Sequence, residues 1–310
     1  MTQHTPLVQP SPLRSKIIRY KYFYLMMIPV ILWYILFAYA PMYGVVTAFQ
    51  DFQMHKGIAG SQWVGFKHFA ALWNDTFFWR ALKNSVIIAG MRLLFEFPVP
   101  IILSLMINEL RSKRFKQTVQ TVVYLPHFLS WIVCTSIIFN IFNADEGLFT
   151  IVMHNVFGQP LQNYVTPSTF RGVLVLTNMW KEAGWEMIIF IASMAAIDPT
   201  LYEAAVVDGA NRWQRVLNVT LPGISSVIVI VLILRVGSIL NTGFDQVFNL
   251  QKPLLYETGD IIDTYVLRTA MGDAKFSYAA AVGLFNSVIN TALLLIANWG
   301  ARLMGQQSIF

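Results

Sequence analysis

The sequence predicts an all-α fold, a polytopic transmembrane helical bundle of about six spans, and three observations predict it. The first is composition: 56% of the 310 residues are hydrophobic and only 12% are charged. With a mean hydropathy of +0.55, the chain has too few polar side chains to cover a water-soluble globule. The second is a series of apolar runs near the ~20 residues that a helix needs to cross a bilayer. The third is the placement of Lys and Arg, which gather in alternate connections between those runs.

Taken in order, residues 1–19 are rich in Pro, Gln and Thr, lack periodicity and are expected to form a tail, leaving 20–310 as the membrane domain. The apolar runs lie at 22–47, 81–107, 119–142, 172–197, 223–240 and 278–303. Ala38-Tyr39-Ala40 has the look of a signal-peptide cleavage site, but the apolar stretch is too long for one and Pro41 follows it, so an uncleaved first span is expected. Pro126 and His127 inside the third run predict a locally weakened helix, a kink or a hinge, with neighbouring helices satisfying the freed carbonyl. The fifth run is the shortest, and a continuation toward Asn249 through polar Asn241 and Asp245 is open.

Charge orients the bundle. Arg14, Lys16, Arg19 and Lys21 precede the first span, and Arg111, Lys113, Arg114 and Lys116 fill the second connection. Arg212 and Arg215 lie in the fourth connection, and Arg302 closes the last span. By the positive-inside rule these segments and both termini face the cytoplasm. The opposite loops are longer and sparser in basic residues. The net charge of +6 follows from this bias, and with no clustered basic face a nucleic-acid partner is not expected.

No catalytic residues are expected. Cys134 is alone, so neither a disulfide nor a thiolate metal site can form within the chain. His4, His55, His68, His127 and His154 show no metal-ligand spacing, and metal ligands are expected to be none. The sequence holds no G-x-x-x-x-G-K-[ST] phosphate cradle either. Any ATP that drives the process belongs to another polypeptide.

The 203–222 stretch, EAAVVDGANRWQRVLNVTLP, is semi-polar and wedged between two apolar runs. Asp198 can cap a helix beginning at Pro199, Ala204 and Ala205 give it a small face, and Asp208-Gly209 supplies a turn that ends it. A second helical piece then runs over 212–218. Such a knob reads as a docking element; the alternative is an amphipathic interfacial helix between two spans. The stretch resembles the EAA loop of ABC-importer permeases, with Glu203, Ala204, Ala205, Asp208, Gly209, Ala210, Leu221 and Pro222 at the family spacing. An aromatic near Val216 and a second proline near Ser226 are missing from that pattern.

Segments 63–73 (WVGFKHFAALW), 101–131 and 277–298 are similar to the oligosaccharide branch of maltose-type importer permeases. The resemblance implies a cytoplasmic EAA-type coupling helix within 198–222, seated on an ATPase through Glu203, Ala204, Ala205, Asp208, Gly209, Ala210 and Trp213. It also implies a second homologous permease, an ATPase dimer that carries ATP and Mg, an extracytoplasmic solute-binding protein that delivers an oligosaccharide, and a multi-pass place among the lipids of the bacterial cytoplasmic (inner) membrane. Translocation by alternating access follows from the same resemblance.

Polar groups inside a span are costly, so they are either functional or paired. Arg92 and Glu96 lie one turn apart and are expected to neutralise each other. Arg235 has no neighbour of opposite charge in sequence; it either lines a cavity, where an acidic sugar would answer it, or snorkels to an interface. Asn178, Trp180, Glu182 and Trp185, with Lys181 and Glu186, form a polar aromatic cluster in the fourth span, which with Asp245, Asn286 and Asn290 could stack and hydrogen-bond a sugar. An aromatic belt and helix-to-helix polar contacts explain the same residues. Trp63, Phe66, Phe69, Trp73 and Trp79 crowd the first outer loop, as a contact surface for a binding protein, a rim that guides sugar, or plain interface aromatics. The competing function is an ion-coupled secondary transporter or channel subunit, which would bury more midplane acids than this chain has beyond Glu96. A membrane-embedded enzyme would need clustered His, Asp or Glu that the sequence lacks.

Overall fold

The computed structural model describes residues 19–142, 147–158, 165–241 and 243–303. The expected tail at 1–19 lies outside them except for its last residue. Helices dominate, and the strands among the described residues are one antiparallel pair, Gln50–Asp51 with Gln62–Trp63. Three helices are long and apolar enough to cross a membrane: Lys21–Phe49, Thr76–Asn108 and Phe276–Leu303. Three bent pairs bring the total to as many as six, namely Lys113–Phe128 with Trp131–Phe142, Phe170–Ala195 with Pro199–Val207, and Arg212–Gly223 with Ser225–Gly237.

Each long helix has a local reason for its limits. Asp75 starts the second span, its Oδ1 accepting from the N–H groups of Phe77 (2.8 Å) and Phe78 (3.2 Å) that have no partner within the helix. Just ahead of Pro98 and Pro100, neither of which has an N–H to donate, the same helix widens into a π turn over Arg92–Glu96. The first span is apolar on every side and buries none of its spanning window against the rest of the chain.

In two expected spans the structure answers what the sequence left open. The third is not one kinked helix: the chain turns by 101° between Phe128 and Trp131. Pro126 tightens the end of the first piece into a 3₁₀ turn, Leu129 is extended (ψ 138°), and the Ser130 hydroxyl accepts from the Val133 N–H as the second piece starts. The fifth does not continue to Asn249. Its helix stops at Gly237, and after Gly243, whose φ of +76° suits glycine, a separate helix runs over Phe244–Leu250.

The core lies in three clusters that join distant parts of the sequence. One packs Ile88, Phe170 and Leu174 against Val247, Leu250 and Ile261. Another packs Leu72, Phe78 and Ala81 against Ile262, Ala281 and Val282. The third packs Phe190 and Met194 of the fourth span on Ile224, close to the 198–222 connection. Cys134 is buried and free. The fourth span is the hub. It packs along the second span, and Gly184 lets it approach the backbone of the Lys113–Tyr124 helix so closely that a Cβ would overlap the Val123 carbonyl.

Candidate functional site

The 198–222 connection folds as a two-helix knob. Asp198 is extended, and its Oδ1 accepts from the Thr200 N–H at 2.9 Å ahead of Pro199–Val207; this bond holds the carboxyl below its ordinary range. The helix ends in a Schellman motif. The Ala210 N–H donates to the Ala205 carbonyl (2.9 Å), the Gly209 N–H donates to the Val206 carbonyl (3.1 Å), and Gly209 takes φ +77°. Asn211 and Gln214 then form a reciprocal capping box that starts Arg212–Arg215. Instead of ending near Asn218, this piece widens into a π turn over Val216–Thr220 and runs to Gly223. Tyr202 and Thr220 hydroxyls meet at 2.9 Å and hold the two halves together.

Glu203, Ala204, Asp208, Gly209 and Trp213 of the knob are exposed, while Ala205 and Ala210 are half-buried. Val207 is 87% and Trp213 69% exposed. Apolar groups this bare, on an element this firmly capped, form a surface shaped for a partner.

The second assembly lies between the second, fourth and fifth spans, beside a cavity of about 610 Å³ lined by Arg92, Asn178, Trp185, Glu186, Arg235 and Asn241 among others. Arg92 Nε faces Glu96 Oε1 at 3.5 Å, an electrostatic contact rather than a hydrogen bond. Arg235 is not unpaired as the sequence implied. It donates to Glu186 (2.8 Å) and to Glu96 (2.9 Å). Glu96 also accepts from Asn178 Nδ2 at 2.8 Å. Two guanidinium and two carboxylate groups therefore cancel, and the case for an acidic sugar drawn from an unanswered Arg235 falls away.

Of the expected pathway residues, Asn178, Trp185 and Arg235 share this cavity. Glu182 stands to one side, bound to Lys181 Nζ (2.9 Å) and to His127 Nδ1 (2.6 Å), while the His127 ring stacks on Trp185 with centroids 4.4 Å apart. Trp180, Asp245 and Asn286 do not line the cavity. Trp180 is two residues from Asn178, about 200° around a helix, so it points away. Asp245 is exposed in the first turn of the helix that restarts after Gly243. Asn286 is buried, and with Asn290 it donates to Asn241 Oδ1 at the broken end of the fifth span.

Sequence reasoning missed Gln246. Its side chain accepts from Arg92 and donates to the Leu174 carbonyl and the Thr177 hydroxyl. No local signal marked it: in FDQVFNL it is one of three polar residues, and only the fold shows that its amide is fully buried and must have partners.

A bundle of apolar and broken spans around a largely apolar cavity edged by a charge-neutral ion-pair network, with one capped knob between two spans, is an architecture that suits a membrane permease. Residues 97–306 match the family described as binding-protein-dependent transport system inner membrane component, and the chain belongs to that family. It is a non-catalytic, multi-pass permease subunit of an ABC-type importer. The polygalacturonan/rhamnogalacturonan transport system permease protein YteP of Bacillus subtilis (strain 168) is 41% identical over 95% of this chain and 92% of its own length. Protein LplB of the same organism is 40% identical over 94% and 92%. Among solved structures, a bacterial alginate ABC transporter in complex with an alginate-pentasaccharide-bound periplasmic protein superposes with a TM-score of 0.87 at 37% identity, covering 96% of this chain and 99% of that one.

Proposed function

We propose that the chain is the translocating subunit of an ATP-driven importer of oligosaccharides, acidic ones included, with both termini and the 198–222 knob on the cytoplasmic side. The substrate class follows the relatives, whose names specify polygalacturonan/rhamnogalacturonan and the acidic polysaccharide alginate. A second homologous permease, an ATPase dimer holding ATP and Mg, and an extracytoplasmic solute-binding protein complete the transporter. Glu203, Ala204, Ala205, Asp208, Gly209, Ala210 and Trp213 dock the ATPase. When ATP draws the ATPase pair together, the knob moves and carries the fourth and fifth spans with it. The cavity beside Asn178, Trp185 and Arg235 then opens to alternate sides.

One observation carries this reading: the knob exposes Val207 and Trp213 while the starts of both its helices and the turn between them are closed by caps. Rigidity with an uncovered apolar face suits a lever. Gly209→Asp tests it. No atom lies within 4 Å of a Cβ at Gly209, so the change meets no clash; the φ of +77° strains any side chain, Asp less than most, and that cost is confined to the turn. The added charge faces the partner. ATP-driven uptake is expected to vanish with the permease still in the membrane; normal uptake by that variant would remove the coupling role.

A further inference from the structure

A second cavity, of about 870 Å³, shares no lining residue with the one beside Arg235. It opens between the 51–53 hairpin arm, the start of the second span and the segment that leads into the last span. Its size falls in the ~300–1,000 Å³ range of small-molecule sites. Phe52, Phe77, Tyr256 and Phe276 place aromatic rings in the lining, Phe77 with Arg80 and Tyr256 with Arg268 over one face, and Gln53, Thr269 and Ser277 place amide and hydroxyl groups there. Sugar rings present both apolar C–H faces and hydroxyl edges, and this lining meets both.

The charges around it are answered one by one, with a single exception. Asp51 is held by Lys67 Nζ (2.6 Å) and His68 Nε2 (3.1 Å). Arg268 is paired with Asp260, and Lys275 lies 3.9 Å from Asp273. Asp75 has no cation, but four neutral donors engage it: the Tyr265 (2.5 Å) and Tyr278 (2.7 Å) hydroxyls and the N–H groups of Phe77 and Phe78. Arg80 is the exception. Among the described residues no carboxylate lies within 4.0 Å of it, its guanidinium rests over the Phe77 ring at 5.0 Å, and its Nε is buried without a hydrogen-bond partner. A buried guanidinium donor left unmade is costly, and a planar carboxylate is the group that its fork fits.

Another part of the lining is held in an unusual backbone state. Ala274 has φ +54°, the one positive φ outside glycine among the described residues, and it lies in the lining itself. Strain of this kind persists where the surroundings over-determine a turn, and here it fixes the 273–276 rim over the cavity.

We propose that this cavity binds a carboxylate-bearing saccharide, a uronate unit, with Arg80 as its carboxylate ligand and the aromatic walls as its ring platform. The inference deepens the sugar-import reading and rests on it. The cavity beside Arg235 is charge-neutral, so within this chain discrimination of acidic from neutral sugar falls to the cavity at Arg80.

The test uses the assembled transporter in lipid nanodiscs, titrated with trigalacturonate and, as the uncharged counterpart, with its methyl ester. Arg80→Gln is expected to weaken trigalacturonate binding by about tenfold or more, the scale of a lost charge-assisted hydrogen bond. Arg80→Lys, which keeps the charge without the fork, falls between. Methyl-ester binding stays unchanged in both variants, which also reports an intact fold. Equal trigalacturonate affinity for wild type and Arg80→Gln overturns the proposal, as does absence of any trigalacturonate binding. It is also overturned if Arg80→Gln weakens only capture of the binding protein, since the cavity is then a protein socket. Failure of Gly209→Asp to affect uptake strikes the coupling role alone and leaves this titration standing.

Discussion

Glu96 is 2% exposed and stands against two guanidinium groups at once, Arg92 on its own helix and Arg235 on another. Removing a shared counter-ion is worse than removing one of the ions that share it. Glu96→Gln leaves Arg92 with no carboxylate, and a buried charge stripped of its partner costs about 3–5 kcal/mol. Arg235→Gln leaves Glu96 with Arg92 and Asn178, and it frees only the half-exposed Glu186. Thermal unfolding of the purified permease is therefore expected to drop further for Glu96→Gln than for Arg235→Gln, and the reverse order would refute this view of the network. Only half of it was legible in the sequence. Arg92 and Glu96 are four residues apart, the spacing at which helical side chains meet. Arg235 and Glu96 are 139 residues apart, and nothing local in either segment names the other, which is why Arg235 read as unanswered. Gln246 was hidden for the same reason.

At the scale of elements, what can be read depends on whether the cause is local. The caps of the knob are local: Asp198, Pro199, Gly209 and Asn211 each act on backbone within four residues. The knob was therefore visible from the chain alone. The 101° break after Phe128 was only half visible, since Pro126 announces a defect but not its angle. That angle depends on the neighbour. Val123 and Tyr124 lie against the fourth span at Gly184, and the Lys181 ammonium donates to the His127 carbonyl at 2.8 Å, taking up a backbone acceptor next to the break. Gly184→Ala places a methyl group on the Val123 carbonyl and must push the two helices apart. Overpacking of this sort costs about 1–3 kcal/mol. The variant is expected to lose thermal stability and uptake together, whereas Gly172→Ala in the same helix, where a Cβ meets nothing within 4 Å, keeps both. Equal behaviour of the two would show that the close approach does not matter.

For the whole molecule, the first span is the element that the chain alone does not explain. Lys21–Phe49 is apolar throughout, yet none of its spanning window is buried inside the chain, while the spanning windows of the second and last spans are each 28% buried. Lipid or a second permease must cover it. A helix held to its own chain mainly through its 43–49 end, against the last span, is free to lie on a neighbour. Cysteine at Leu32, a residue 51% exposed, is expected to crosslink to the second permease proposed above when the transporter is assembled. Crosslinks found solely within the chain would leave lipid as its only cover. The sequence marked this segment as a span through its length and composition, but its cover is a property of the assembly and has no signature in one chain.

The neutral quartet formed by Arg92, Glu96, Arg235 and Glu186 has an electrical consequence. Moving one elementary charge through the membrane potential involves about 2.3 kcal/mol per 100 mV, so spans that carried a lone guanidinium would be pulled or held by the voltage of the living cell. Two plus charges and two minus charges travelling together feel almost no net force. The rocking proposed for these spans therefore takes almost no voltage dependence from the quartet itself, and any pull of the membrane potential on the cycle falls on charges carried elsewhere, those of an acidic sugar included.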